Sequence, residues 1–410
     1  MSTYYIDFSG SQDKNDGLSP KRARKTYSDL ALQPGDRVLF RRGGFVRGRL
    51  HAMPYVGYGA YGEGDPPTFC GSVDVSGEQY WQPTERENVW KCTGRFSGDV
   101  GNLIFNHNEC TATFRWTKEE LCRQGDFYGT PVNAEQSRRN IGCADLYLYS
   151  VGNPAAVYSH IEAAAYGERN IVTLADGMTF EDIRVMNSGV HGMQGSGNDI
   201  TVRGCVFENI GGCPWNVDSR IRFGNGFEIW HHGNRILIEN CLFKNVYDSC
   251  VTHQGPGKET VPTTDFICRN NTFDTYGMAA FEYRDKLPVR SVFEHNVCLN
   301  AGCGFAMLGE SLPRRSEIWP QPMGHHIFLW RIPGPTDGGG LTISDNEFGP
   351  APVGASVYSI ISSEAEAQIT LRNNRYAAGN PVLHHFGGAD YTELAEFQKQ
   401  TGRDAGSSYI

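Results

Sequence analysis

Apolar residues recur at every second position in seven short segments that align with one another. Each segment follows a template of apolar, any, apolar, any, an Asn-like residue, a small residue or Asn, any, and an aromatic residue, as in ILIENCLFKN from residue 236. The Asn-like markers are Asp182, Gly204, Asn240, Asn270, His295, Asp345 and Asn373. An alternation of period two predicts strands. The marker predicts a sharp bend whose side chain can bond backbone groups in the neighbouring copy.

The repeats predict a stacked fold. Successive markers are 22 to 50 residues apart, a base period in the twenties enlarged by insertions. Copies of this size cannot bury their apolar faces alone, so they must stack on one another. A leucine-rich horseshoe would show a Leu-x-x-Leu-x-Leu pattern and a propeller a longer four-stranded repeat, and the sequence has neither. We therefore expect an all-β fold, a single-stranded right-handed parallel β-helix with an N-terminal capping region.

The first 150 residues differ from the repeats. The stretches YYIDFSGSQDKNDGLSP and LQPGDRVLFRRGGFVRGRL resemble the opening of many right-handed β-helix carbohydrate-active proteins of the glycoside hydrolase and polysaccharide lyase type. The resemblance implies that residues 1–150 form the cap and the first coils. Residues 151–410 would then form the main β-helix with loop insertions, in one continuous domain. The resemblance implies action on a carbohydrate but names no substrate.

The net charge limits the classes of molecule that the protein is expected to bind. The net charge of -9 argues against nucleic acid and against an anionic membrane surface, so a neutral oligo- or polysaccharide fits better. No apolar run approaches the roughly 18 to 20 residues of a membrane span. No secretory signal is visible, so we expect a cytoplasmic protein, or a secreted one whose signal has been trimmed. The oligomeric state is left open.

The spacing of the cysteines and histidines does not match a zinc site. Twelve cysteines are scattered without a Cys-x-x-Cys pair or a paired His-x-His, so most are interpreted as core residues rather than disulfides or zinc ligands. No glycine loop that could cradle a phosphate follows a strand. We expect no metal and no organic cofactor, with calcium admitted if the protein is a lyase.

Strand alternation separates inward from outward side chains after each bend. One inward ladder is predicted to contain Phe227, Val251, Phe281 and Phe305. A second is predicted to contain Val202, Ile238, Cys268, Phe293, Ile343 and Leu371. One outward column is predicted to contain Glu228, Thr252, Glu282 and Ala306. The next outward column is predicted to contain Trp230, Gln254, Arg284 and Leu308.

The outward columns predict a catalytic groove. Rungs of a parallel β-helix are about 4.8 Å apart, which places Glu228 and Glu282 roughly 9 to 10 Å apart at Cα, close to the separation that inverting glycosidases use. Asp248 lies on the intermediate coil and is predicted to complete a catalytic cluster. The predicted sugar-binding residues are Trp230, His191, His253, Gln254 and Arg284. His191 is placed in the Glu228 column, one coil earlier.

Ordinary structural roles compete with each assignment. An outward Glu on a β-helix is most often only solvated, Asp248 can be a turn residue, and His253 has the parity of the core. The long insertion after His295 can cover a groove or merely decorate it. Its candidate residues are His325, His326 and Trp330, with Arg314, Arg315 and Glu317.

Other functions remain open beside hydrolysis. A polysaccharide lyase would use Lys258 and Arg284 as base and stabiliser, with calcium held by Glu228 and Asp248. An intramolecular glycosyl transferase is possible on the same fold. A non-catalytic glycan-binding β-helix would show an aromatic groove without clustered acids.

Overall fold

The computed structural model describes the chain except residues 11–13, 95, 97, 130–144, 168–169, 218–219, 256–262, 285–288, 308–322, 331–339, 353, 361–362 and 381. Three long sheets run along it. The first sheet is parallel and contains β1 (Thr3–Ile6), β2 (Arg37–Arg41), β4 (Gly57–Tyr61), β16 (Thr179–Glu181), β19 (Ile200–Arg203), β24 (Asn234–Glu239), β27 (Thr264–Arg269), β30 (Ser291–Glu294), β33 (Leu341–Ser344) and β36 (Ile369–Arg372).

The other two long sheets alternate with the first along the chain. The second sheet contains β3 (Phe45–Arg47), β5 (Thr68–Cys70), β17 (Arg184–Ser188), β20 (Val206–Ile210), β25 (Leu242–Val246), β28 (Thr272–Tyr276), β31 (Val297–Ala301), β34 (Glu347–Phe348), β37 (Arg375–Tyr376) and β40 (Ser408–Tyr409). The third contains β15 (Asn170–Leu174), β18 (His191–Gly195), β23 (Phe227–Trp230), β26 (Ser249–Gln254), β29 (Ala279–Arg284), β32 (His325–Trp330), β35 (Tyr358–Ile360), β38 (His384–Phe386) and the antiparallel β39 (Ala389–Tyr391). This arrangement is the predicted parallel β-helix.

The predicted bends are confirmed. All seven marker residues have left-handed backbones, with φ between 53° and 63°. The expected bonding partner is corrected, because the residue after the marker carries the interior ladder. Asn296, for example, donates through Nδ2 to the Oδ1 of Asn346 at 3.1 Å and accepts through Oδ1 from the backbone N–H of Asn271 at 2.9 Å. The ladder residues are Asn271, Asn296, Asn346 and Asn374.

One predicted inward ladder is fully confirmed and the other needs a correction. Successive members of the ladder from Val202 to Leu371 are paired on adjacent strands of the first sheet. In the third sheet Phe227 pairs with Val251 and Val251 with Phe281, as expected. The next member is Ile327 and not Phe305. Phe305 lies in a short 3₁₀ turn outside the third sheet and packs on Tyr247.

Between residues 72 and 165 the described strands form two small sheets outside the coil, one antiparallel and one mixed. One contains β6 (Ser72–Asp74), β9 (Val100–Phe105), β10 (Cys110–Thr111) and β14 (Ile161–Ala165). The other contains β7 (Trp81–Pro83), β8 (Val89–Cys92), β11 (Thr113–Phe114), β12 (Asp126–Gly129) and β13 (Leu146–Tyr149), with β11 parallel to β12. A separate hydrophobic core lies between them. We call residues 72–165 the insertion.

A buried arginine joins the insertion to the coil. It belongs to a hairpin of β21 (Cys213–Asn216) and β22 (Ile221–Phe223). Arg222 donates through Nη2 to the Gly101 carbonyl at 2.6 Å, and its guanidinium lies over the rings of Phe114 (4.3 Å) and Tyr247 (4.6 Å). Because Tyr247 directly precedes Asp248, the insertion is anchored beside the predicted site.

Helices are few and short. Among the described residues the α-helices are α1 (Pro154–Val157), α2 (Ser363–Glu366) and α3 (Leu394–Thr401), and the 3₁₀ turns are Pro20–Arg22, Glu78–Tyr80, Lys118–Glu120 and Gly304–Met307. None of the helices described here is long and apolar enough to span a membrane. The eleven cysteines within the described residues are all unbonded, and most are buried, in agreement with the expected core role.

Candidate active site

The predicted carboxylate column forms on the outer face of the third sheet. Glu228 pairs with Thr252, and Thr252 pairs with Glu282. The two glutamates therefore lie two rungs apart on one face, as the sequence predicted. The position assigned to Ala306 is occupied by Phe328, because β32 follows β29 in the sheet.

Two further column assignments are corrected. Gln194, not His191, pairs with Glu228, because the inward anchor of β18 is Met193 rather than Val190. In the second column Trp330 occupies the position predicted for Leu308, which lies outside the described residues. His191 still reaches the cluster from the start of β18.

Glu282 lies within a shell of four donors. Its Oε2 accepts from Ser249 Oγ at 2.7 Å, Thr252 Oγ1 at 3.0 Å and Gln254 Nε2 at 3.2 Å, and its Oε1 accepts from Trp330 Nε1 at 2.7 Å. The side chain is fully buried, and this desolvation raises the pKa of Glu282 above its ordinary value, although Arg284 and the donors act against the rise. The sequence predicted this carboxyl but not its donors.

Glu228 is held by amide groups. Its Oε1 accepts from Gln194 Nε2 at 2.9 Å, and its Oε2 accepts from Asn225 Nδ2 at 2.5 Å. The same Oε2 lies 3.3 Å from His191 Nδ1. Glu228 is only 1% exposed, so it is not the solvated glutamate of the ordinary interpretation. Amide donors stabilise an ionised carboxylate and fix its orientation.

Asn225 connects the two carboxyl environments, and sequence reasoning missed it. Its Oδ1 accepts from the backbone N–H of Ser249 at 3.0 Å, and its own backbone N–H donates to His191 Nδ1 at 3.1 Å. Ser249 in turn donates to Glu282. His191 and Ser249 lie three positions before the outward Gln194 and Thr252, which is a spacing of inward parity, so strand alternation gave no signal that either would reach the carboxylates.

Asp248 lies just before β26, on the intermediate coil, as predicted. Its Oδ2 accepts from the Gly224 backbone N–H at 3.1 Å, and the residue is 8% exposed. Its charge acts on Glu282 in the direction that raises the glutamate pKa. The structure thus brings Asp248 close to one of the two glutamates, and its backbone partner is Gly224, 24 residues earlier, rather than the local backbone that the turn interpretation expected.

His253 is a core residue, which corrects its assignment as a sugar ligand. The side chain is fully buried and stacks on Tyr283 with ring centroids 5.1 Å apart. Burial lowers the pKa of His253 to about 4, so the ring is neutral near pH 7. Its inward parity explains both facts, because it alternates with outward Thr252 and Gln254.

The second outward column contains the other predicted ligands. Trp230 pairs with Gln254, is partly exposed, and meets His231 edge to face. Arg284 pairs with Trp330, and its guanidinium lies 5.1 Å from the indole centroid. These positions flank the carboxylates, as the alternation predicted.

The described residues do not form a metal site. Within them, no group of three or more His, Cys, Asp and Glu side chains is arranged to hold a metal ion. The lyase candidate Lys258 lies outside the described residues, as do Arg314, Arg315 and Glu317 from the long segment after His295.

The three long sheets of stacked parallel strands define a right-handed parallel β-helix. The family model for the right handed beta helix region matches residues 146–313. A search of curated proteins found no match. The fold expectation from the resemblance is confirmed.

Solved structures share this fold at low sequence identity. XylC in complex with xylose is 13% identical with a TM-score of 0.51, covering 92% of this chain. This chain spans 62% of the length of that protein. A pectate lyase is 12% identical with a TM-score of 0.49, covering 100% of this chain and 77% of its own. A lacto-N-biosidase from Eubacterium ramulus is 12% identical with a TM-score of 0.44, covering 100% and 68%.

Proposed function

We propose that the protein hydrolyses glycosidic bonds of an oligo- or polysaccharide, with Glu282 as general acid and Glu228 as general base. The observation that carries the proposal is their register, two rungs apart in one outward column with Thr252 between them. That register gives a Cα separation of about 9 to 10 Å. Side chains that lean together reach the roughly 6.5 to 9.5 Å of an inverting pair.

Glu282 suits the acid role because burial favours its protonated form. The hydroxyls of Ser249 and Thr252 can reverse and accept as well as donate, so the shell tolerates both protonation states. Trp330 orients Oε1, and a protonated Oε1 can accept the indole N–H and still donate its own proton. The nearby charge of Asp248 helps to retain that proton.

Glu228 suits the base role because neutral amides from Gln194 and Asn225 support its charge. In the reaction a water gives one proton to Glu228 while its oxygen bonds to the anomeric carbon. The glycosidic C–O bond breaks, and Glu282 gives its proton to the leaving oxygen. Each proton lost by one group is gained by another, and no redox step is needed.

The sugar ligands are the second outward column and the start of β18. Trp230 offers a partly exposed indole for stacking on a pyranose, and Gln254, Arg284 and His191 offer hydrogen bonds to hydroxyls. The β-helix XylC was solved with a sugar, xylose, which supports this ligand class. We propose that neither a metal nor an organic cofactor is required.

A glycan screen tests the function. The purified protein is incubated with neutral and uronic-acid glycans, and both reducing ends and the ultraviolet absorbance of unsaturated products are followed, with and without chelator. We expect new reducing ends without unsaturation. Unsaturated products that disappear on chelation would instead establish the lyase reaction.

A further inference from the structure

The rung that follows Glu282 carries rings at its outward positions. On β32, Phe328 pairs with Glu282, Trp330 pairs with Arg284, and His325 pairs with Ala279. The polar outward column is therefore interrupted one rung beyond the proposed acid, and Ser359 and His385 continue it on the next two rungs.

These side chains form a continuous stack. Phe328 and Trp330 are nearly parallel, with ring centroids 5.5 Å apart and an interplanar angle of 7°. His325 stacks on Phe328 at 5.1 Å, and Arg284 lies over Trp330 at 5.1 Å. We call Arg284, Trp330, Phe328 and His325 the terminal stack.

The terminal stack is filled rather than open. Phe328 is 1% exposed and packs in an apolar cluster with Met278 and Ala279, against which Met323 also packs. Because His325 and Trp330 flank Phe328 on the same strand, its ring has a neighbour on each side. A sugar that needs a free aromatic face does not find one at Phe328.

The other end of the carboxylate column has a different environment. Thr173 pairs with Gln194 and is exposed on β15, beyond Glu228. The column thus starts at the exposed Thr173 and passes Glu228 and Glu282 before the terminal stack interrupts it.

Acid–base geometry fixes which part of a substrate meets the stack. In an inverting hydrolysis the water, the anomeric carbon and the leaving oxygen lie roughly in line between base and acid. The leaving sugar therefore extends past the acid. With Glu228 as base and Glu282 as acid, it extends towards Phe328.

We propose that the protein attacks glycans at their reducing ends, with the terminal stack limiting the leaving group to a mono- or disaccharide. This inference rests on the proposed function and on its assignment of acid and base. The Thr252 rung, midway between the carboxyls, lies two rungs or about 10 Å from the Phe328 rung, which allows only a short leaving group. A longer leaving group would have to occupy the space that the rings of Phe328 and Trp330 fill.

Isotope labelling tests the direction of release. Xylo-, cello-, galacto- and galacturono-oligosaccharides receive a heavy-oxygen label at the reducing end, and the products are read by mass spectrometry. We expect the released short sugar to carry the label. An unlabelled short product, or a ladder of internal fragments, would overturn the inference while leaving hydrolysis established. Absence of hydrolysis, or unsaturated products, would instead reject the proposed function.

A paired substitution tests the terminal stack itself. Phe328→Ala removes the central ring, and we expect labelled products that are longer by at least one sugar. Phe386→Ala removes a buried ring from β38 of the same sheet and is the matched control, with unchanged product length. If both variants fold and both give wild-type products, the terminal stack does not limit the leaving group. If Phe328→Ala fails to fold, Phe328→Leu replaces it under the same criterion.

Discussion

Replacing Glu282 with Gln tests the proposed acid through activity and stability together. The amide keeps the size of the side chain but cannot deliver a proton, and loss of an acid typically lowers turnover by about 100- to 10,000-fold. Binding should survive, because Trp230 and Arg284 are unchanged. We therefore expect a fall in kcat with little change in KM.

The effect of Glu282→Gln on the free energy of unfolding depends on pH. The pKa of Glu282 is raised in the folded chain by burial, so stability that is present below the unfolded pKa is lost as the pH rises through the folded pKa. At neutral pH the neutral Gln avoids this loss. Relative to wild type, Glu282→Gln should gain about 1.4 kcal/mol of stability for each unit of pKa rise between pH 4 and pH 8, beside a pH-independent cost, because its amide nitrogen cannot accept the N–H of Gln254 or Trp330.

The assay is denaturant unfolding from pH 4 to pH 8, beside steady-state kinetics. Glu239→Gln is the matched control. Burial acts to raise the pKa of Glu239, but hydrogen bonds from Arg203 and Arg269 lower it below its ordinary value. The stability that this carboxylate contributes above its unfolded pKa is therefore lost as the pH falls. That variant should lose stability at neutral pH and keep its activity. A Glu282→Gln variant whose stability relative to wild type does not rise from pH 4 to pH 8, or that keeps more than a tenth of wild-type turnover, would contradict this prediction.

Four further outcomes are expected. Glu228→Gln should fold normally, bind sugar and lose about 100- to 10,000-fold in turnover, measured by kinetics beside calorimetric binding, and near-normal turnover would remove it as the base. Asn296→Leu should cost at least about 3 kcal/mol in denaturant unfolding, because several buried groups lose partners, whereas the exposed Thr370→Val should be nearly neutral. Exhaustive chelation should leave activity intact, and loss restored by calcium would contradict the cofactor-free proposal. The ring protons of His253 should show no titration by NMR between pH 6 and pH 8, since its pKa lies near 4, and a midpoint in that range would contradict its core placement.

The fold was predictable because each coil repeats one local event. Asp182, Gly204 and Asn240 mark left-handed bends, and such bends favour Gly, Asn and Asp in any context. Alternation around the bends then determines the ladder from Val202 to Leu371. Local pattern and stacking impose the same register, so these predictions are confirmed.

The errors arise where the chain leaves that local pattern. Phe305 resembles an anchor, but it lies in a 3₁₀ turn outside the third sheet, and Ile327 takes the place. In SGVHGMQGSG two apolar residues three apart could each have been the anchor, and choosing Val190 over Met193 misplaced His191. Nothing in the alternation of residues 72–165 separates antiparallel pairing from coil pairing.

The site was predictable only in part. Parity places Glu228 and Glu282 outward, and their register follows from the bends. Their burial does not follow, because the donors come from other rungs: Ser249 is 33 residues before Glu282, and Trp330 is 48 residues after it. A long-range shell of this kind has no local sequence pattern.

Proton NMR of fresh hydrolysis products most directly tests the claim that Glu282 and Glu228 act as an inverting acid–base pair. The glycan found in the screen is cleaved in the spectrometer, and the anomeric signal of the new reducing end is recorded before mutarotation. We expect saturated products whose first-formed anomer has the configuration opposite to that of the cleaved bond. A first anomer that retains the original configuration, or signals from an unsaturated sugar, would contradict it.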